Sequence, residues 1–301
     1  RARPARVKSQ EVAPTFSGNR MRYIRNYLVW QISYFIATHF LEKKLADDLQ
    51  SSLQNLVLAI NARLPPAGYR HSIQQREGLD PEAVSSLMII VSPLSPDNPW
   101  KGVHSRYRNE LIVQWFYYLG VRRGELLGVR VEDINFQKNE VTIHRRADDV
   151  NDPRLDQPQT KTKARVLPMS SALASLTRDY IINRRSAFKG ARKHTFLFCA
   201  DKTGLPMSLP TVNKLFKELR TACPFLSGPL SPHVLRHTWN DRFSELMDKN
   251  GITEEEEKKM RSNLMGWSET SETAAIYTKR HVREKAKIAL LKMQEQIINK
   301  D

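Results

Sequence analysis

The sequence predicts a mainly α-helical chain in which one small antiparallel sheet interrupts the helices, an α+β arrangement in two domains. Three observations predict it. Apolar residues recur at helical spacing over most of the 301 residues. Alternation with a period of two is confined to short runs between residues 129 and 169. A polar stretch punctuated by proline and glycine, residues 67–79, divides two periodic regions and reads as a linker.

The elements follow in chain order. Residues 1–18 carry Arg1, Arg3, Arg6 and Lys8 against Glu11, which predicts a basic N-terminal arm, with a merely solvated tail as the equal alternative. Residues 23–40, then Leu45, Leu49, Leu53, Leu56 and Ile60, keep helical spacing until Pro65-Pro66, so residues 19–66 form a small helical domain. The chain begins with arginine and has no signal-peptide pattern, so it is read as a fragment whose helical domain is incomplete at its N-terminus. A second domain, residues 80–301, opens at Asp80-Pro81-Glu82, with aspartate at the N-cap and proline at the first helical position. Helices are predicted at 106–119 and 123–127, strands at 129–136, 141–144 and 164–169, and a long hairpin loop at 148–159. Further helices are predicted at 171–185, 209–220, 232–248, 253–265 and 271–277, before an amphipathic tail at 282–299.

Charge narrows the choice of partner. Forty-eight basic against 32 acidic residues give a net charge of +16, which points to a polyanion, nucleic acid first. A membrane surface is the competitor, but no apolar stretch reaches the roughly 20 residues needed to span a bilayer. The run 27–41 is broken by Gln31, Ser33, Thr38 and His39. Cys199 and Cys223 are the only cysteines, too few and too far apart for a disulfide framework or a zinc site, and they fit a reducing cytoplasm. No phosphate-binding glycine loop and no metal-ligand spacing is recognisable, so no cofactor and no metal are expected.

Within the second domain a set of residues has the makings of a phosphate site. Arg122 follows the turn glycine in Gly120-Val121-Arg122-Arg123-Gly124-Glu125-Leu126, and His233 and Arg236 lie three apart on one helix face. Planar guanidinium groups grip two phosphate oxygens in bidentate fashion, which makes Arg122 and Arg236 a candidate clamp. Tyr277 stands late in the chain. A phenol with a pKa near ~10 is a poor nucleophile at neutral pH unless cations and proton acceptors surround it. Each residue also has an ordinary reading: Arg122 paired with Glu125, His233 as a cap or core residue, Tyr277 as packing. Glu125 itself is expected to pair with a basic neighbour or to cap backbone donors.

Taken in order, G-x-R-x-x-E-L, then Thr160-Lys161-Thr162-Lys163 before a strand, then His233-Val234-Leu235-Arg236, then Gly266-Trp267-Ser268 and finally Tyr277 resemble the tyrosine recombinase (phage integrase) family, including integrases and Xer/Cre-type site-specific recombinases. The resemblance runs from about residue 78 to the C-terminus. It implies a helical core DNA-binding domain followed by a tyrosine-recombinase catalytic domain. It also implies catalytic roles for Arg122, Lys161, His233, Arg236, Trp267 and Tyr277. Tyr277 would attack a DNA phosphate to form a 3′-phosphotyrosine and free a 5′-hydroxyl, which needs no ATP because the covalent bond stores the energy. The hairpin lysine would donate the proton to the leaving oxygen, with Lys161 matching better and Lys163 the alternative. His233 would manage protons at the phosphate, while His237 turns to another face. Trp267 replaces the histidine of most members, its indole N–H serving as donor, with packing as its other role.

The same resemblance implies double-stranded DNA as partner, a homo-tetramer on paired DNA sites, DNA-bending accessory proteins, and a cytoplasmic, nucleoid-associated location in a bacterium. A mobile-element recombinase is the expected function. The alternatives are another phosphotyrosine enzyme, such as a type IB topoisomerase or telomere resolvase, and a DNA-binding architectural protein without catalysis.

Overall fold

The computed structural model describes residues 14–65, 78–146, 149–158, 160, 162–225, 230–268, 274, 277, 281–282, 285–286 and 289–291. Most of the expected arm and linker, and Lys161 with them, lie outside the described residues. The chain divides into two compact units, Arg1–Gln75 and Arg76–Asp301.

The first unit pairs α1 (Pro14–Thr38) with α2 (Lys43–Arg63). Helix α1 begins at Pro14 rather than at residue 23: the polar and small residues of its first turns give no apolar period, and proline is tolerated in a first turn. Residues 21, 25, 28, 29, 32 and 36 are half-buried at helical spacing. Arg25 Nη1 donates to Asn61 Oδ1 across the pair at 2.6 Å, and Leu53 of α2 is buried. On the opposite side of α1, Tyr23, Tyr27, Trp30 and Tyr34 are exposed, with the Trp30 and Tyr34 rings stacked 5.7 Å apart.

The second unit opens with α3 (Pro81–Val91), whose N-cap Asp80 accepts from the Ala83 N–H at 2.7 Å. Its core is organised by α4 (Val103–Leu119), where Ile112, Val113, Trp115 and Phe116 are fully buried. Trp115 also satisfies its indole N–H on Thr177 Oγ1 at 3.1 Å, so this large ring enters the core with no orphaned donor. Helix α4 stops at Gly120, in the left-handed region at φ 59°. A Cβ there would lie 2.9 Å from the Trp239 ring, so both backbone and space demand glycine.

After α5 (Arg123–Gly128) comes a three-stranded antiparallel sheet in the order β1 (Ile134–Asn135), β2 (Glu140–Ile143), β3 (Arg165–Pro168). The register sets Ile134 opposite Val141, Val141 opposite Leu167 and Ile143 opposite Arg165. The strand predicted over 129–136 is only two residues long. Asp133 explains the difference: its carboxylate accepts from the Arg130 N–H at 2.8 Å, closing a 3₁₀ turn over Val131–Asp133. Arg146 then grips the same carboxylate through both Nη atoms at 2.8 and 2.7 Å.

Helix α6 (Ser171–Asp179) ends earlier than the predicted residue 185, passing into a widened π-turn over Tyr180–Arg184 as Tyr180 enters the core against Phe198. Three more helices follow: α7 (Leu209–Ala222), α8 (Pro232–Lys249) and α9 (Glu254–Met265). Ser231 caps α8, and a reciprocal Thr253–Glu256 capping box opens α9, so its acidic first turn faces the positive end of the helix dipole. Ala274 and Tyr277 are both helical, and so are the described positions of the tail. Among the described residues no helix is long and apolar enough to cross a membrane.

Candidate active site

Arg122 stands at the junction of α4 and α5, immediately after the Gly120 turn, with its side chain about two-fifths exposed. Arg236 rises from the first turns of α8, is 2% exposed, and donates through Nη1 to the Gly120 carbonyl, fastening α8 to the same turn. Its Nη2 is buried with no hydrogen-bond partner among the described residues, a free donor on a buried cation. Arg122, Arg236 and the exposed His233 line one cleft of about 350 Å³, together with Arg123 and Asn213. Burial lowers the Arg236 pKa to about 9, with repulsion from Arg122 adding to it, so the group stays protonated at neutral pH.

Glu125 is buried beside this cleft and holds Arg122 in place. Its carboxylate accepts from the Arg122 backbone N–H at 2.8 Å, Thr162 Oγ1 at 2.6 Å and Arg165 Nη2 at 2.8 Å, and it pairs with Arg122 Nη1 at 3.2 Å. Both functions expected of it, pairing and backbone capping, are present. Burial by itself would raise its pKa. The hydrogen bond and charge of Arg165, the charge of Arg236 and the Arg122 N–H outweigh burial and hold it at about 2.

The same carboxylate anchors the lysine-bearing segment. Thr160 and Thr162 are buried, Lys163 is exposed, and the Lys163 N–H donates to the Gly266 carbonyl at 3.0 Å. Arg165 Nε donates to the Leu264 carbonyl at 2.6 Å, so β3 is bound at once to α5 and to the C-terminus of α9. Gly266, at φ 66°, ends α9 where a Cβ would lie 2.9 Å from both Arg165 Nη1 and the Lys163 carbonyl oxygen. Lys161 lies outside the described residues.

Beyond Gly266, Trp267 and Tyr277 are buried and stacked, ring centres 5.8 Å apart and planes within 9°. The Arg236 guanidinium lies 5.4 Å from the Trp267 ring. The Trp267 indole N–H is buried with no hydrogen-bond partner among the described residues. Burial pushes the Tyr277 phenol up, while Arg236, Arg261 and Arg122 pull it down.

His237 requires a correction. Rather than turning to another face, its ring stands 4.4 Å from that of His233 and 5.4 Å from that of Tyr277. Positions four apart on a helix share a face, and the spacing from His233 to His237 carries this geometry even though His237 directly follows Arg236. Two further residues escaped the sequence reading. Arg165 shares the buried face of β3 with Leu167, and an arginine in an inward strand position signals a buried carboxylate partner. Arg261 is completely buried beside Tyr277, and its i, i+4 relation to Glu257 was the available signal.

The second unit thus carries an arginine–histidine cleft next to a buried, cation-flanked tyrosine. Residues 79–284, two-thirds of the chain, match the pattern of the phage integrase family, and the chain belongs to that family of tyrosine recombinases. It is 32% identical over 136 residues to transposase A from transposon Tn554 of Staphylococcus aureus, covering 44% of this chain and 34% of that protein. It is 28% identical over 187 residues to an XerC-like tyrosine recombinase of Caldanaerobacter subterraneus subsp. tengcongensis, covering 56% and 44%. The chain thus spans about a third to a half of the length of these curated relatives. Among solved structures, XerH recombinase bound to palindromic difH substrate in a post-cleavage complex resembles it with a TM-score of 0.54 at 16% identity, covering 88% of this chain and 71% of that one. XerA recombinase does so at 0.50 and 17%, covering 94% and 85%. At these identities the likeness establishes the fold.

Proposed function

We propose that this protein is a site-specific DNA recombinase that cuts and rejoins strands through a 3′-phosphotyrosine at Tyr277, serving a mobile genetic element. The observation that carries the reading is the single cleft shared by Arg122, His233 and Arg236, next to the Trp267–Tyr277 pair. In this reading Arg122 and Arg236 hold the two non-bridging oxygens of the scissile phosphate, where negative charge grows during transfer. The free Nη2 of Arg236 and the free indole N–H of Trp267 are donors with no other use among the described residues. The Tyr277 oxygen bonds to phosphorus as the bond to the 5′-oxygen breaks, and a hairpin lysine, Lys161 or Lys163, protonates the departing oxygen. A 5′-hydroxyl from another strand then reverses the step.

The transposase A relative supports the mobile-element assignment. The net charge of +16 supports duplex DNA as the partner. Exchange between two sites calls for four protomers on paired DNA, and the assembly we propose is a homo-tetramer aided by DNA-bending proteins and acting in the cytoplasm.

The test is covalent trapping. A nicked suicide duplex carrying the element's end sequence is incubated in EDTA with wild type and with Tyr277→Phe, then resolved on a denaturing gel. A protein–DNA band with wild type alone supports the reading. Site-specific binding without that band moves the protein to the non-catalytic DNA binders.

A further inference from the structure

Arg261 does not line the cleft, yet it is a fully buried charged side chain beside the tyrosine. It projects from α9 at 0% exposure, and its Nη2 donates to Glu257 and to Ser244 of α8. Its Nε and Nη1 are buried with no hydrogen-bond partner among the described residues. The guanidinium carbon stands 5.6 Å from the centre of the Tyr277 ring and 5.3 Å from that of Phe243. Burying an ion pair in this way is commonly no more stabilising than filling the same space with an apolar side chain, and two orphaned donors add a further cost. Fold stability is therefore a poor reason for an arginine here.

Its position against the tyrosine offers a better one. A cation beside an aromatic ring is attracted by the electrons of the ring, and the attraction grows when the phenol becomes a phenolate. The gain is largest in a site shielded from water, and Tyr277 is 7% exposed. We propose that Arg261 is an electrostatic positioning residue for Tyr277, a buried cation that favours the phenolate form of the tyrosine both as nucleophile and as leaving group. This rests on the phosphotyrosine reading given above. In cleavage the phenolic proton is released to solvent, the Tyr277 oxygen bonds to phosphorus, and the 5′-oxygen departs with a proton from the hairpin lysine. In rejoining, a 5′-hydroxyl returns its proton to the hairpin lysine as its oxygen bonds to phosphorus, and Tyr277 leaves as the phenolate that Arg261 stabilises before taking up a proton from solvent. One phosphodiester is exchanged for another, and no further reactant enters.

Other charges also face Tyr277. Arg236 on α8 and Arg122 act in the same direction as Arg261, His237 on α8 lies against the ring with His233 beyond it, and Glu257 on α9 offsets part of the Arg261 charge. The direction of the Arg261 effect on the phenol, downward against the upward push of burial, agrees with the geometry.

The experiment measures single-turnover formation of the covalent complex on the nicked suicide duplex from pH 6 to 10, for wild type, Arg261→Met, Arg261→Lys and Glu257→Gln, with thermal melting of each. Arg261→Met is expected to slow cleavage about tenfold at pH 7, recovering toward wild type as rising pH ionises the phenol. Arg261→Lys keeps the cation and should remain within about threefold of wild type. Glu257→Gln removes the offsetting charge and should move the profile the other way, to lower pH. Arg261→Met cleaving like wild type, or equally slow at every pH, overturns the proposal. If Arg261→Met fails to fold, an unmoved profile in Glu257→Gln overturns it equally. Absence of a covalent band from wild type would instead remove the functional reading beneath it, so the two failures are distinguishable.

Discussion

Replacing Glu125 by glutamine should be among the most damaging near-isosteric changes in this protein. The carboxylate accepts from Arg165, Thr162 and the Arg122 backbone at once, and a glutamine can offer only one oxygen. Its amide would turn an N–H toward one of these donors and leave the Arg165 guanidinium, itself 97% buried, without a counter-charge. Two routes to the magnitude agree. Holding the carboxyl at about 2 instead of 4.5 corresponds to about 3 kcal/mol, at about 1.4 kcal/mol per pH unit. Removing one partner of a buried ion pair costs about 3–5 kcal/mol. For a unit of this size that is a fall in melting temperature of about 6–20 °C.

The pH dependence follows from the direction of the shift. A carboxyl with a depressed folded pKa contributes fully above its unfolded value of 4.5 and loses that contribution as pH falls toward 2. At pH 3 the gap between wild type and Glu125→Gln should therefore narrow by about 2 kcal/mol. Tryptophan fluorescence melting at pH 7 and pH 3 reads this directly, because four of the five tryptophans lie in the second unit. A variant within about 1 kcal/mol of wild type at pH 7, or a gap of equal size at pH 3, would refute the account of this network.

Three further outcomes are expected. Gly266→Ala places a Cβ against Arg165 and the Lys163 carbonyl in a left-handed backbone, and should cost about 1–3 kcal/mol in urea unfolding; a neutral result would mean that the turn relaxes freely. A substrate with a 5′-bridging sulfur needs no proton on its leaving group, so it should restore cleavage to an alanine variant of the general-acid lysine. Restoring Lys161→Ala identifies one residue, restoring Lys163→Ala the other, and restoring neither excludes the hairpin as proton donor. Arg122→Ala should lower the slope of log affinity against log salt by about 0.9, measured by fluorescence anisotropy, whereas an unchanged slope would take Arg122 off the phosphate.

Much of this architecture could be read in the sequence because its causes are local. Asp80-Pro81, Ser231-Pro232 and the Thr253–Glu256 box mark helix starts through hydrogen bonds reaching only three residues, and Gly120 and Gly266 mark helix ends through backbone conformation. The strand over 129–136 was misread for a tertiary reason. Its valines and isoleucine have strand character, but Asp133, held by Arg146 from beyond β2, closes the backbone into a turn.

At the candidate site the division is similar. The sequence by itself determined the residue types, their order along the chain, and the shared helix face of His233 and Arg236, which spacing on a helix settles. Tertiary structure alone brought Arg122, from the end of α4, to the same cleft as Arg236, and seated the Lys163 backbone against Gly266. It alone also buried Glu125 and Arg165, which meet from 40 residues apart, and packed α8 over Arg261, whose counter-charge Glu257 lies on its own helix while Ser244 of α8 accepts from it. Periodicity records which face of an element is dry. It cannot record which charges meet there, because that pairing depends on side chains 40 residues apart in the case of Glu125 and Arg165, and is decided only when the elements pack.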